Sequence, residues 1–418
     1  MKISLACAVL VMSATAADWP RFRGPDGAGL AEAPALPLPV TAANQLWCVK
    51  LPGPGHSSPA LVGPRLFVTC TENATAKRSV LCLDAATGRT LWQRDFPSKT
   101  YHQNNDNSYA SASPAADANG VVVSWTTPEE VLVVALDNAG QEKWRRGLGP
   151  FVGAHGSGSS PLIVGELVVL SNDQDNPKSA PHNYANKAVP NEPGKSFLLA
   201  LERQTGQTRW QLDRASSQAA YSTPCVRRLE NGAVELVCAN TANGLTGVDA
   251  ATGKINWVTD KGFTRRCVGS PVCGAGLIVT TAGSGGMGAE LVAVKPGAKP
   301  AVAYTMTKPL PYVPTPLFIG ERLLLWGDNG QVACLRAATG EVLWREKVEG
   351  AFYSSPIAVQ GRALNISKTG DLLTLEVGDT FAAPARLPLG EKAFATPAVA
   401  GGLLYVRTLT QLFAFGKK

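Results

Sequence analysis

The sequence predicts an all-β chain folded as an eight-bladed β-propeller of four-stranded antiparallel blades. Three observations predict it. A Ser/Thr-Pro pair opening an apolar strand recurs eight times, and a strand–turn–strand unit ending in Trp recurs in phase with it. Gly and Pro are abundant, at 42 and 30 residues, in a chain of 418 with no long apolar stripe of helical period.

The first marker is Ser58-Pro59, Ser113-Pro114, Ser160-Pro161, Thr223-Pro224, Ser270-Pro271, Thr315-Pro316, Ser355-Pro356 and Thr396-Pro397. The mean spacing of about 48 residues is the size of one four-stranded blade. The second marker is LDAATGRTLW ending at Trp92, ALDNAGQEKW at Trp144, ALERQTGQTRW at Trp210, GVDAATGKINW at Trp257 and CLRAATGEVLW at Trp344. Its Gly supplies the positive φ of a tight hairpin turn. Leu-x-Leu before the turn and Trp after it alternate with polar residues, as in half-buried strands. The tryptophans are expected to form core between blades. Two repeats are degraded: KPGAKPAVAY has Tyr304 in the Trp position, and EVGDTFAAPARL has no Trp.

Ring closure is legible at the two ends. Asn44 to Lys50, around Trp47, matches the Trp strand with no blade before it, and the blade opening at Thr396-Pro397 stops one strand short. The first is expected to complete the last, which removes an open sheet edge. The expected organisation is therefore residues 1–17 as signal peptide, 18–43 as an N-terminal extended segment and 44–418 as propeller.

The signal peptide rests on Lys2, the apolar run Ile3 to Met12 and the Ala-rich stretch before Asp18. It implies a periplasmic or secreted protein. Cys7 lies too early for a lipoprotein anchor, and no later run of 18 apolar residues offers a transmembrane segment. The eight remaining cysteines contain no C-x-x-C pair. Cys70 with Cys82, and Cys225 with Cys238, are candidate hairpin disulfides, with buried free thiols as the alternative.

A net charge of +7 is modest, and Arg145-Arg146, Arg227-Arg228 and Arg265-Arg266 are isolated pairs rather than a basic stripe. They are expected to be solvated loop and strand-edge charges, and nucleic acid is not an implied partner. A monomer is expected.

With strands ordered A to D outward from the axis, the D-to-A and B-to-C loops share one face. His56, His102 and His155 fall in D-to-A loops, and His182 in the long B-to-C insertion of blade three, so all four histidines map to one arc of that face. Tyr101, Asn172, Asp173 and Asp175 lie on the same arc. The Gly/Ser run after His155 would let backbone approach a ligand closely. The functional expectation is a polar pocket for a small or sugar-like ligand, with His155 its foremost residue. Asp173, Asp175 and Asn172 are candidate oxygen ligands for a cation such as calcium, although EF-hand spacing is absent. Tyr221, Tyr312, Phe352, Tyr353 and Phe394, each just before a Pro strand, are expected to pack between blades, with lining of the axial funnel as the alternative. No G-x-S-x-G or H-E-x-x-H motif supports hydrolysis.

The ALDAATGKxxW repeat with its Ser/Thr-Pro strand resembles the quinoprotein, or PQQ-like, propeller repeat. That family spans PQQ-dependent alcohol dehydrogenases and the outer-membrane assembly lipoprotein BamB. DWPRFRGPDGAG (Asp18 to Gly29) and the stretch from His155 to Cys225 are similar to PQQ-binding-like propeller proteins of planctomycetes and their relatives. The resemblance implies an exported, non-catalytic binding or scaffold module for a protein, glycan or small-molecule partner, working through the D-to-A and B-to-C loop face. The other reading it implies is a PQQ-dependent oxidoreductase acting on alcohols or sugars. The dehydrogenases' adjacent cysteines are missing, no catalytic residue can be assigned, and no cofactor is expected, PQQ and calcium being the alternatives.

Overall fold

The structure, a computed structural model, describes residues 18–176, 178 and 194–418. Eight antiparallel sheets surround one axis. Blade one runs outward through Ala60–Val62, Arg65–Glu72, Lys77–Asp84 and Thr90–Phe96. The inner strands of the other blades are Ala115–Asp117, Leu162–Val164, Cys225–Arg228, Val272–Gly274, Leu317–Ile319, Ile357–Val359 and Ala398–Ala400. Each follows its Ser/Thr-Pro pair. Gln45–Lys50 pairs antiparallel with Gln411–Phe415 and closes the ring as the outer strand of blade eight.

The middle strands differ from the alternating pattern that the sequence led us to expect. Val131–Asp137 is buried at six consecutive positions, because both faces of a blade pack on neighbouring blades. Only the outer strands, such as Glu142–Gly147, keep an exposed face.

The Trp marker joins most blades to the next. The indole N–H of Trp92 donates to the Asn138 carbonyl at 3.0 Å, that of Trp144 to Arg203 at 2.9 Å and that of Trp210 to Ala250 at 3.0 Å, each in the turn of the following blade. Trp344 reaches Gly378 in the same way, and Tyr304, the substitute in blade five, donates its hydroxyl to Ala337 at 2.9 Å. Trp257 instead bonds Glu235 of its own blade. The turn glycine serves both partners. At Gly253 φ is +73°, and an added Cβ would lie 2.6 Å from the Trp210 ring. Hairpin geometry and close stacking thus demand the same residue.

The segment expected to be merely extended is a plug. Trp19 pairs with Leu61 of blade one, and the Pro20 carbonyl accepts from Ala116 of blade two. Arg21 donates to the Pro224 carbonyl in blade four, and Arg23 to Pro316 in blade six and Pro356 in blade seven. Leu30–Ala31 then runs parallel to Ala358 and Val359 as a fifth, innermost strand of blade seven. The motif therefore crosses the axis and ties together blades that share no sequence neighbourhood. Arg21 and Arg23 are 2% and 0% exposed and bond only carbonyls. Burial lowers their pKa values to about 10 and about 9, so both stay charged at neutral pH.

All eight described cysteines are free thiols, which corrects the hairpin pairing. Register explains it: Cys70 faces Ser79, Cys82 faces Phe67, Cys225 faces Val237 and Cys238 faces Thr246. The near thiol neighbours are Cys225 and Cys273, with sulfurs 3.2 Å apart across blades four and five. No helix among the described residues is long and apolar enough to cross a membrane.

Candidate functional site

The Ser/Thr-Pro marker has a second role beyond starting strands. The Ser58 N–H donates to the Ser113 hydroxyl, Ser113 to Ser160, Ser160 to Thr223 and Thr223 to Ser270. Ser270 donates to Thr315, Thr315 to Ser355, Ser355 to Thr396, and Thr396 back to Ser58. These bonds, 2.9–3.3 Å long, make a closed ring around the axis. Proline follows each member, so the next residue has no N–H to compete for the hydroxyl.

A cavity of about 590 Å³ stands on this ring, within the range of small-molecule pockets. All eight ring residues line it, and Phe22 of the plug contributes to its floor. The remaining lining comes from the D-to-A and B-to-C loops. Because the plug fills the axis below, the funnel opens on one face.

The wall from blades three to five carries Tyr221, Arg265 and Arg266, with Tyr312 beyond. Arg266 lies over the Tyr221 ring with 5.7 Å from guanidinium carbon to centroid, and its Nη2 is 3.5 Å from Asp175. Asp175 is fully buried and also accepts from the N–H groups of Ala154 and Ala219. The opposite wall is aromatic. His56 stacks on Phe394 with ring centroids 4.1 Å apart, and Tyr353 meets Phe394 edge-on. Lys368 sits 4.3 Å above the Tyr353 ring and pairs with Asp106 at 2.9 Å. Burial, with Arg407 close by, holds the His56 pKa down at about 3, so the ring is neutral. Asp328, which accepts from the Tyr312 and Val313 N–H groups, is pushed up to about 6 by burial.

The sequence-derived residues separate here. His56 and His155 line the cavity. The His155 carbonyl accepts from the Asn104 N–H and from Asn107 Nδ2, so its loop clamps the loop before blade two. Gly156, φ +80°, makes room for Asn107 rather than for a ligand. His102 is exposed and does not line the cavity, and His182 lies outside the described residues. Tyr101 packs edge-on against Tyr109 and accepts from Arg78 away from the funnel. Asn172 is buried in Leu167–Asn172 and donates to the Lys195 carbonyl. Asp173 pairs with Arg214 at 3.3 Å and accepts from Asn240.

Two expectations are corrected. Of the five aromatics assigned to packing between blades, Tyr221, Tyr312, Tyr353 and Phe394 line the funnel, and Phe352 alone is buried against Trp326. Of the arginine pairs expected to be solvated, Arg265 is exposed but Arg266 is buried and faces the cavity. Its position in the loop that leads into Ser270-Pro271, four residues ahead of Ser270, is the signal that could have found it. Asp106, Lys368 and the plug arginines carried no signal beyond their loops.

The calcium that the resemblance raises does not fit these residues. Asp173 and Asp175 are already neutralised by Arg214 and Arg266, and among the described residues no three His, Cys, Asp or Glu side chains converge as metal ligands. A cation would meet guanidinium groups where it needs free carboxylates.

A family model described as outer membrane protein assembly factor BamB matches residues 40–176, 76–300 and 305–380. No curated protein sequence matches the chain. Among solved structures, BamB from Moraxella catarrhalis superposes with a TM-score of 0.63 at 15% identity, covering 90% of this chain and 97% of that one. A europium-containing methanol dehydrogenase gives 0.56 at 13% identity over 86% and 89% of the two chains. Quinohemoprotein alcohol dehydrogenase from Comamonas testosteroni gives 0.55 at 12% identity over 96% and 81%. At these identities the likeness is one of fold.

Proposed function

The chain belongs to the family of outer membrane protein assembly factor BamB, a family of PQQ-like β-propellers, and from that premise we propose that it is a non-catalytic binding module outside the cytoplasm. It takes a ligand, or a group presented by a protein or glycan partner, into the axial funnel on the D-to-A and B-to-C loop face. The observation that carries this reading is the blind funnel itself: a 590 Å³ cavity standing on a closed hydroxyl ring, with the plug filling the axis beneath. A plugged ring has one concave face to offer.

The test blocks the mouth. Asn104 is exposed at the funnel rim, and Asn231 is exposed in the A-to-B turn of blade four on the opposite face. Asn104→Cys and Asn231→Cys variants, each coupled to a bulky maleimide polymer, are compared for capture of ligands from an envelope extract. Exposed native Cys48 labels equally in both. Capture lost only with the Asn104 block is the expected result. Capture unaffected by that block, or lost equally with either, refutes the funnel as the binding site.

A further inference from the structure

The funnel is rich in donors. Each ring hydroxyl already accepts a backbone N–H, and none donates to a protein acceptor among the described residues, so its proton is left for whatever fills the cavity. On the wall above, the buried Nε of Arg266 and the Tyr221 hydroxyl have no hydrogen-bond partner. Both residues line the cavity, and Arg265 is exposed at the rim beside them.

Charge points the same way. Arg21 and Arg23 below the ring, and Arg407 behind His56, are buried against neutral acceptors. The carboxylates at the funnel are Asp106, held by Lys368, Asp175, held by Arg266 and two N–H groups, and Asp328, held by two N–H groups. Asp26 of the plug is exposed and turned to its own Ala28 N–H. Positive charge without an acidic partner, set in low-dielectric walls, projects into the cleft it surrounds. Half-buried Tyr353 and Phe394, with the Asn104 amide, supply the mixture of ring surface and polar groups that suits a polyhydroxylated body.

We propose that the funnel binds an acidic carbohydrate, with the carboxylate of a hexuronate unit held by Arg266, Tyr221 and Arg265 and its hydroxyl groups by the Ser/Thr ring. This rests on the funnel being the binding pocket and adds the class of ligand.

The experiment is calorimetric titration of the mature chain with digalacturonate and with its uncharged dimethyl ester. The acid is expected to bind at least tenfold more tightly than the ester, and to weaken as salt rises. Tyr221→Phe should weaken the acid about tenfold, the size of one bond to a charged group. It should leave the unfolding temperature in place, because that hydroxyl has no protein partner to lose. Arg265→Gln should weaken the acid about threefold. Equal binding of acid and ester, indifference to Tyr221→Phe, or no binding of the acid at millimolar concentration overturns the acidic-carbohydrate assignment. The funnel reading is judged separately by the mouth block, so the two fail in different experiments.

Discussion

Arg23 offers the sharpest energetic test of the plug. Its guanidinium makes four hydrogen bonds, to the carbonyls of Gly27, Ala28, Pro316 and Pro356, and the side chain is fully buried. A bond to a charged group contributes roughly 1.5–3 kcal/mol, so the four carry about 6–12 kcal/mol taken singly. They do not add, because removing the guanidinium also relieves the cost of burying its charge. Arg23→Met, which keeps the length and loses the donors, is therefore expected to cost about 3–5 kcal/mol, at the upper end for single substitutions. Urea unfolding of the chain, with midpoints compared at equal slope, measures it. Arg336→Met is the matched control: its pair with Glu341 is exposed, and the change should stay within the experimental margin of the unfolding midpoint. If Arg23→Met also falls within that margin, the carbonyl cradle does not hold the ring together.

Further outcomes follow from the repeat and from the buried titratable groups. Gly253→Ala combines a strained positive φ with a Cβ 2.6 Å from Trp210 and should destabilise by about 2–4 kcal/mol, whereas Gly63→Ala, with open space around it, should cost about 1 kcal/mol by the same unfolding assay. His56 has its folded pKa depressed from 6.5 to about 3, so its neutral form is favoured on folding and stability is lost as pH falls from about 6.5 towards 3. His56→Phe should flatten that part of the pH–stability curve. Asp328 acts with the opposite sign: its folded pKa is raised to about 6, so folding takes up a proton and stability is gained as pH falls from about 6 to 4. Asp328→Asn should remove that gain, and an unchanged curve in either variant would contradict the assigned burial.

How much of this was legible depends on what repeats. The ring order, the closing strand around Trp47 and the Trp–turn bridges are written eight, one and several times in the sequence, and Tyr304 shows the marker surviving substitution. The site is built from residues that occur once. Arg266, Asp106 and Lys368 become neighbours of one cavity only because the ring brings loops from blades two, five and seven to one axis. The Ser/Thr marker reads as the start of a strand, and its hydroxyls are invisible as a ring because each bond joins residues one blade apart or, from Thr396 to Ser58, the two ends of the ring. Asp173 and Asp175 misled for the related reason that their arginine partners lie in other segments, Arg214 40 residues or so further on and Arg266 further still. The plug was seen as a motif and not as a plug, since its partners are carbonyls, to which any sequence contributes.

The central claim is that one face of this ring does the binding. Photo-crosslinking from both faces tests it most directly, with benzoylphenylalanine placed singly at Asn104 and Arg265 on the funnel rim and at Asn231 and Thr87 in turns of the opposite face. The account predicts covalent capture of envelope components from the two rim positions and not from the two distal ones. Capture confined to Asn231 and Thr87 would contradict it and would make the funnel a by-product of ring closure.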